Sequence, residues 1–186
     1  ASQTMDREQA LIMLGFRGGQ YAQADRYALD VMTAVLSGMA GRLFQAVREE
    51  HGLSYTLGAV HVPGWDPGYL LIYAATRPSE QTKVLEVMEQ QLARAVAEGF
   101  TEEEVDQAKR YLIGLHRMDL QHVMGVAKRI ALDELYGLGY EALTSYETKI
   151  NAITVPMVHE AAQRYLTLQQ RAQVVISPNG RQSTHP

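Results

Sequence analysis

Two apolar runs of strand length stand on either side of a turn. In residues 53–62, Tyr55, Leu57 and Ala59 fall on one face and Thr56, Gly58 and Val60 on the other, as a half-buried strand requires. Residues 69–76 read Y-L-L-I-Y-A-A-T, a second strand. Between them lies Pro63-Gly64-Trp65-Asp66-Pro67-Gly68, where proline presets φ and glycine admits turn conformations closed to other residues. The pair predicts an antiparallel hairpin, so the fold must hold a sheet and cannot be a bundle of helices alone.

Other elements group around this hairpin. The run Ala10-Leu11-Ile12-Met13-Leu14-Gly15-Phe16, closed by Arg17-Gly18-Gly19, predicts a short buried strand. Ala24-Asp25 opens a helix with Ala28, Val31, Met32, Val35 and Leu36 on one face. Ser37-Gly38-Met39-Ala40-Gly41 interrupts it; Gly38 and Gly41 permit close helix packing or a kink. A second, short helix with Leu43, Phe44 and Val47 inward ends at Gly52, a residue that accepts the left-handed conformation.

After the hairpin, Ser79 is expected to cap a helix reaching about residue 98, with Leu85, Met88, Leu92 and Val96 as its stripe and Gly99 as its end. Thr101-Glu102-Glu103-Glu104 is a capping box, and its acids suit the positive end of the helix dipole. The helix it opens carries Val105, Ala108, Leu112 and Leu115. Further helices are expected over 121–136, 140–151 and 155–166, and a last strand over 172–176, closed by Ser177-Pro178. The order predicts an α+β fold, an antiparallel or mixed sheet with helices on one face, in a single domain over residues 5–178 with a polar tail over 179–186. The eight methionines fall mostly on helix stripes and read as core, whereas Trp65 sits in a turn and is either an exposed contact or packed.

Composition removes several functions. The chain has 17 Lys and Arg against 21 Asp and Glu, a formal charge of −4, and lacks the basic signature of a nucleic-acid binder. It has no cysteine, which excludes disulfides, thiolate metal ligands and a cysteine nucleophile. No stretch approaches 18 consecutive apolar residues, so no membrane span is expected, and no charged start followed by an apolar run marks a signal peptide. Both ends read as cuts from a longer protein, which leaves the compartment open between periplasm and cytoplasm.

Motifs for chemistry are incomplete. A catalytic zinc needs three protein ligands, and a helical histidine pair sits at i, i+4. His51, His61, His116, His122, His159 and His185 contain no such pair. Val47-Arg48-Glu49-Glu50-His51 matches the last two places of H-x-x-E-H, but Val47 cannot ligate, so no metal is expected in this chain. Phosphate loops, dinucleotide fingerprints and the G-x-S-x-G elbow are absent, and motif logic alone finds no active site.

One stretch is more specific. Residues 36–55 read L-S-G-M-A-G-R-L-F-Q-A-V-R-E-E-H-G-L-S-Y, a small-residue loop followed by R-L-F-x-x-V-R-E-x-x-G-L-S-Y. Downstream come Asp66-Pro67-Gly68 entering the second hairpin strand, and Gly99-Phe100-Thr101-Glu102-Glu103-Glu104-Val105-Asp106-Gln107-Ala108-Lys109. Together they resemble the second, non-zinc domain of the M16 metallopeptidases, the pitrilysin and mitochondrial processing peptidase family, over roughly residues 8–178. The resemblance implies an inactive domain that helps enclose a peptide substrate, with zinc held by H-x-x-E-H on a partner domain of the same polypeptide or on a partner subunit. It also implies that an Arg and a Tyr seven residues apart, here Arg48 and Tyr55, reach that zinc site and serve catalysis and substrate binding. The alternative is a degenerate scaffold subunit with no part in proteolysis, like the family's core proteins of respiratory complexes. A stand-alone ferredoxin-like ligand or RNA binder is disfavoured by the acidic charge and the missing aromatic ribonucleoprotein motifs.

Overall fold

Strand pairing sets the architecture. A computed structural model of the chain describes residues 2–5, 9–38, 41–50 and 52–178, of which 2–5, 48–50 and 55 are described by their backbone alone. The strands are β1 (Ser2–Met5), β2 (Ala10–Arg17), β3 (Ser54–Val62), β4 (Tyr69–Thr76) and β5 (Ala172–Pro178). They form one sheet in the order β1-β5-β2-β4-β3. The hairpin β3–β4 and the pairs β2–β4 and β2–β5 are antiparallel, and β1 lies parallel to β5, so the sheet is mixed.

The helices follow from the apolar periodicity. They are α1 (Asp25–Ser37), α2 (Arg42–Phe44), α3 (Gln81–Glu98), α4 (Glu102–Asp119), α5 (Val123–Leu135), α6 (Ala142–Asn151) and α7 (Val155–Tyr165). α1 is the centre, with ten of its thirteen residues buried. One face of the sheet meets the helices: Ala10, Ile12, Leu14 and Phe16 of β2 are buried beside Thr76, Ala74, Ile72 and Leu70 of β4. Val84, Met88 and Leu92 of α3, Val105 and Ala108 of α4 and Val158 of α7 close the same core. Each fully buried aliphatic side chain there contributes about 1.5–3 kcal/mol relative to exposure.

Several expectations need correction. Ser79 does not cap α3; it lies in the 3-10 turn Pro78–Glu80, and Glu80 is the N-cap, with no side-chain hydrogen bond. The buried stripe of α3 is Val84, Val87, Met88, Leu92 and Ala95, which leaves Leu85 and Val96 at its margin, because the phase of a helix face depends on what it packs against. Leu115 is exposed, since α4 runs on beyond the core. The methionine reading holds for Met32 and Met88 but not for Met118, Met124 and Met157, which are exposed. Trp65 is exposed, with its ring 6.0 Å from that of Tyr136. The capping box is present as expected: Glu104 N–H donates to Thr101 Oγ1 at 3.2 Å and Thr101 N–H to Glu104 Oε2 at 2.7 Å.

The hairpin turn is locked onto the loop that follows β2. Gly18 N–H donates to Gly68 O at 2.8 Å, Tyr21 N–H to Gly64 O at 2.8 Å and Gly68 N–H to Gly19 O at 3.0 Å.

Candidate functional site

The described residues of the motif, 42–50 and 52–55, form one corner between helix and sheet. Arg42 starts α2 and donates from its guanidinium to both carboxylate oxygens of Glu104, at 2.6 and 2.8 Å, while lying over the Phe100 ring at 4.8 Å. That pair fastens α2 to α4. Burial raises the Glu104 pKa, but the Arg42 hydrogen bond, the Thr101 amide and the Arg42 charge outweigh it and hold the carboxyl below its ordinary value. Leu43, Ala46 and Val47 are buried beneath the corner.

From Gln45 to Glu50 the chain winds as a π-helical turn, a rare form that recurs at functional sites, and Arg48 lies within it. Gly52 then adopts φ +62°, the left-handed conformation that glycine takes without a Cβ penalty. Leu53 N–H returns to Val47 O at 2.9 Å, closing the corner. In β3, Ser54 pairs with Thr76 and Thr56 with Ala75, so Tyr55 is the extra residue of a β-bulge. The Leu53–Val47 bond thus joins the residue before Arg48 to the approach to Tyr55. The side chains of Arg48 and Tyr55 lie outside the described residues.

Sequence reasoning missed both backbone irregularities. The π-helical turn leaves no signal in an R-L-F-Q-A-V-R-E-E string. Nor does the bulge: it shows only in the structure, where Ser54 is buried although simple alternation would place it with the exposed Thr56.

The histidines do not come together as a zinc site. His61 is almost fully enclosed, with Nδ1 2.7 Å from Asp30 Oδ1. His116 packs against the Tyr146 ring at 4.3 Å, and burial followed by the Arg129 charge lowers its pKa. His159 Nε2 lies 2.9 Å from Val96 O. His122 is exposed just before α5, and His51 and His185 lie outside the described residues. Among the described residues no group of three or more His, Cys, Asp or Glu side chains could hold a metal ion, so their donor set does not fit zinc. No helix of the described residues is long and apolar enough to cross a membrane.

Known proteins are similar to this chain in sequence or in fold. A protein of Bacillus subtilis (strain 168) named "Uncharacterized zinc protease YmxG" is 31% identical over 176 residues, covering 94% of this chain and 43% of its own length. "Uncharacterized zinc protease ML0855" of Mycobacterium leprae is 31% identical over 182 residues, covering 97% of this chain and 41% of its own length. The chain therefore spans about two fifths of the length of these curated relatives. Among solved structures, the peptidase M16 inactive domain from Pseudomonas fluorescens superposes with a TM-score of 0.88 at 23% identity, over 98% of this chain and 43% of that one. A protease from Helicobacter pylori superposes with a TM-score of 0.79 at 20% identity, over 96% of this chain and 43% of that one. The family profile described as "Peptidase M16 inactive domain" matches residues 1–112. That match spans more than half of the 186 residues, and this chain belongs to the peptidase M16 inactive-domain family.

Proposed function

We propose that this chain is the non-metal-binding domain of an M16-type zinc metalloendopeptidase. In this reading it helps enclose a peptide substrate and supplies Arg48 and Tyr55 to a zinc site carried by a partner domain or subunit. The observation that supports the reading most is the corner itself. Arg48 lies on a π-helical turn and Tyr55 on a β-bulge, and the Leu53 N–H to Val47 O bond joins the residue before Arg48 to the chain that enters the bulge. Rigid elements hold catalytic groups more closely than loops do. The zinc-protease names of the relatives and their greater length agree with a metal carried elsewhere.

The chemistry asked of the pair is modest and specific. Peptide hydrolysis passes through a tetrahedral oxyanion, and a phenol hydroxyl donates a hydrogen bond to the oxygen where that charge develops. A guanidinium holds a peptide carbonyl, or bidentately a chain-end carboxylate, and so orients the substrate. Zinc would supply Lewis-acid polarisation of the scissile carbonyl at the partner's site.

The test is made with the zinc-bearing partner present. Tyr55→Phe keeps the ring and removes the hydroxyl, and is expected to lower kcat by about 10²–10³-fold. An unchanged kcat removes Tyr55 from the mechanism. The isolated 186 residues are expected to bind no stoichiometric zinc and to cleave no peptide; zinc binding with cleavage by this chain alone would overturn the reading. If the parent protein, loaded with zinc, cleaves no peptide, the scaffold alternative stands instead.

A further inference from the structure

Two buried hydroxyls grip the main chain around Tyr55. Ser54 is 2% exposed and Thr76 3% exposed, and they face one another across the β3–β4 pair at the bulge. A buried hydroxyl without a partner is costly, because it gives up its bonds to water and gets none in return, so each must find an acceptor. Both find main-chain carbonyls. Thr76 Oγ1 donates to Leu53 O at 2.5 Å. Ser54 Oγ lies 2.5 Å from Ala75 O and 2.9 Å from Thr56 O, with one proton to share between them.

These acceptors sit around the break in the ladder. A bulge leaves its extra residue unpaired and disrupts the regular N–H to C=O exchange, so the local backbone needs other donors to hold one conformation. Leu53 O lies before the bulge, Thr56 O after it and Ala75 O opposite. Leu53 is also the residue whose N–H reaches Val47 O, so a shift at this point passes to the turn carrying Arg48.

We infer that Ser54 and Thr76 are positioning residues, whose hydroxyls set the backbone conformation from which Tyr55 acts. This rests on the reading of Tyr55 given above. Alanine at 54 and valine at 76 would fill nearly the same space, and what they would lose is the hold on the three carbonyls.

The experiment uses the full-length protein together with the domain or subunit that carries the zinc, and a quenched-fluorescent peptide chosen for turnover by the unaltered enzyme. Thr76→Val and Ser54→Ala are each expected to lower kcat about 10-fold with KM changed less than about 2-fold, as small displacements of a catalytic group do. Thr76→Ser should restore kcat. In a Tyr55→Phe background, Thr76→Val and Ser54→Ala should cause little further loss, because residues acting through one group are not additive. A merely structural role gives losses that persist in that background, and this result overturns the inference. So does an unchanged kcat in both hydroxyl variants while Tyr55→Phe is impaired, which leaves the role of Tyr55 standing. If Tyr55→Phe is fully active, or the loaded enzyme cleaves nothing, both readings fall together. If Thr76→Val does not fold, Ser54→Ala with Ser54→Thr as its rescue carries the same comparison.

Discussion

An ideal Cβ at Gly68 would lie 1.9 Å from Val62 O at the end of β3 and 2.7 Å from Gly64 N in the turn, both backbone atoms. Neither can step aside as a flexible side chain could, and the turn is bonded to residues 18–21. Gly68→Ala is therefore expected to destabilise the protein by about 1–3 kcal/mol, by forcing the backbone apart. Gly52 contrasts with it: φ is +62°, and among the described residues nothing lies within 4 Å of a Cβ. Gly52→Ala should cost only the conformational penalty, about 1–2 kcal/mol, with the hairpin intact. Urea midpoints measure both, and an unchanged midpoint for Gly68→Ala contradicts the steric account.

At the scale of the element, α5 is held differently from its neighbours. Gly125 and Asp133 are its only buried residues, while Val123, Met124 and Leu135 are largely exposed. Asp133 is fully buried, accepts a hydrogen bond from the Tyr21 hydroxyl at 2.9 Å and lies 3.5 Å from Arg129 Nε. Tyr21 in turn stacks on Tyr136, just past the end of α5, with ring centroids 4.3 Å apart. A polar anchor thus stands where other helices use an apolar stripe. Asp133→Ala leaves the Tyr21 hydroxyl and the Arg129 charge without their partner, and should cost about 2–4 kcal/mol. Asp133→Asn, which can keep the Tyr21 bond, should cost less. Hydrogen exchange should show α5 opening in Asp133→Ala before α1 does, since α1 has far more buried area to lose.

At the scale of the whole molecule, two titratable groups join helices and share one direction of pH dependence. Glu104 joins α4 to α2 through Arg42, and His116 joins α4 to α6 through the Tyr146 ring. Both have pKa values below their ordinary ones, 4.5 for Glu104 and 6.5 for His116. A depressed folded-state pKa means that the unfolded chain binds the proton first as pH falls. The stability each contributes is complete above its ordinary pKa and is lost as pH falls through the folded one. The thermal midpoint should therefore hold near neutrality, decline below about pH 6.5 through His116, and decline again below about pH 4.5 through Glu104. Calorimetry across pH 8 to 4 measures this, and His116→Asn should remove the first decline. A midpoint rising between pH 7 and 5.5 would contradict it.

Much of this protein was legible because much of it is local. The hairpin follows from two runs and their turn, the capping box from residues three apart, and α1 from its own periodicity, since neighbouring residues and backbone sterics settle such elements. The motif marked the corner holding Arg48 and Tyr55, because Gly52 and the apolar residues beneath it follow a short pattern. Other features needed the assembled fold. β1 is four residues long and exists through a parallel partner at the far end of the chain, Ser2 against Val175. The Tyr55 bulge depends on register against β4, and its hydroxyl grip joins residues 21 and 23 positions apart. Asp133 finds Tyr21 across 112 residues, which no helical period can report. Local sterics and periodicity thus determine most of the elements and the face of α1 from sequence alone, whereas β1, the register of the sheet, the buried polar partners and the phase of the α3 face are decided only when distant segments share one core.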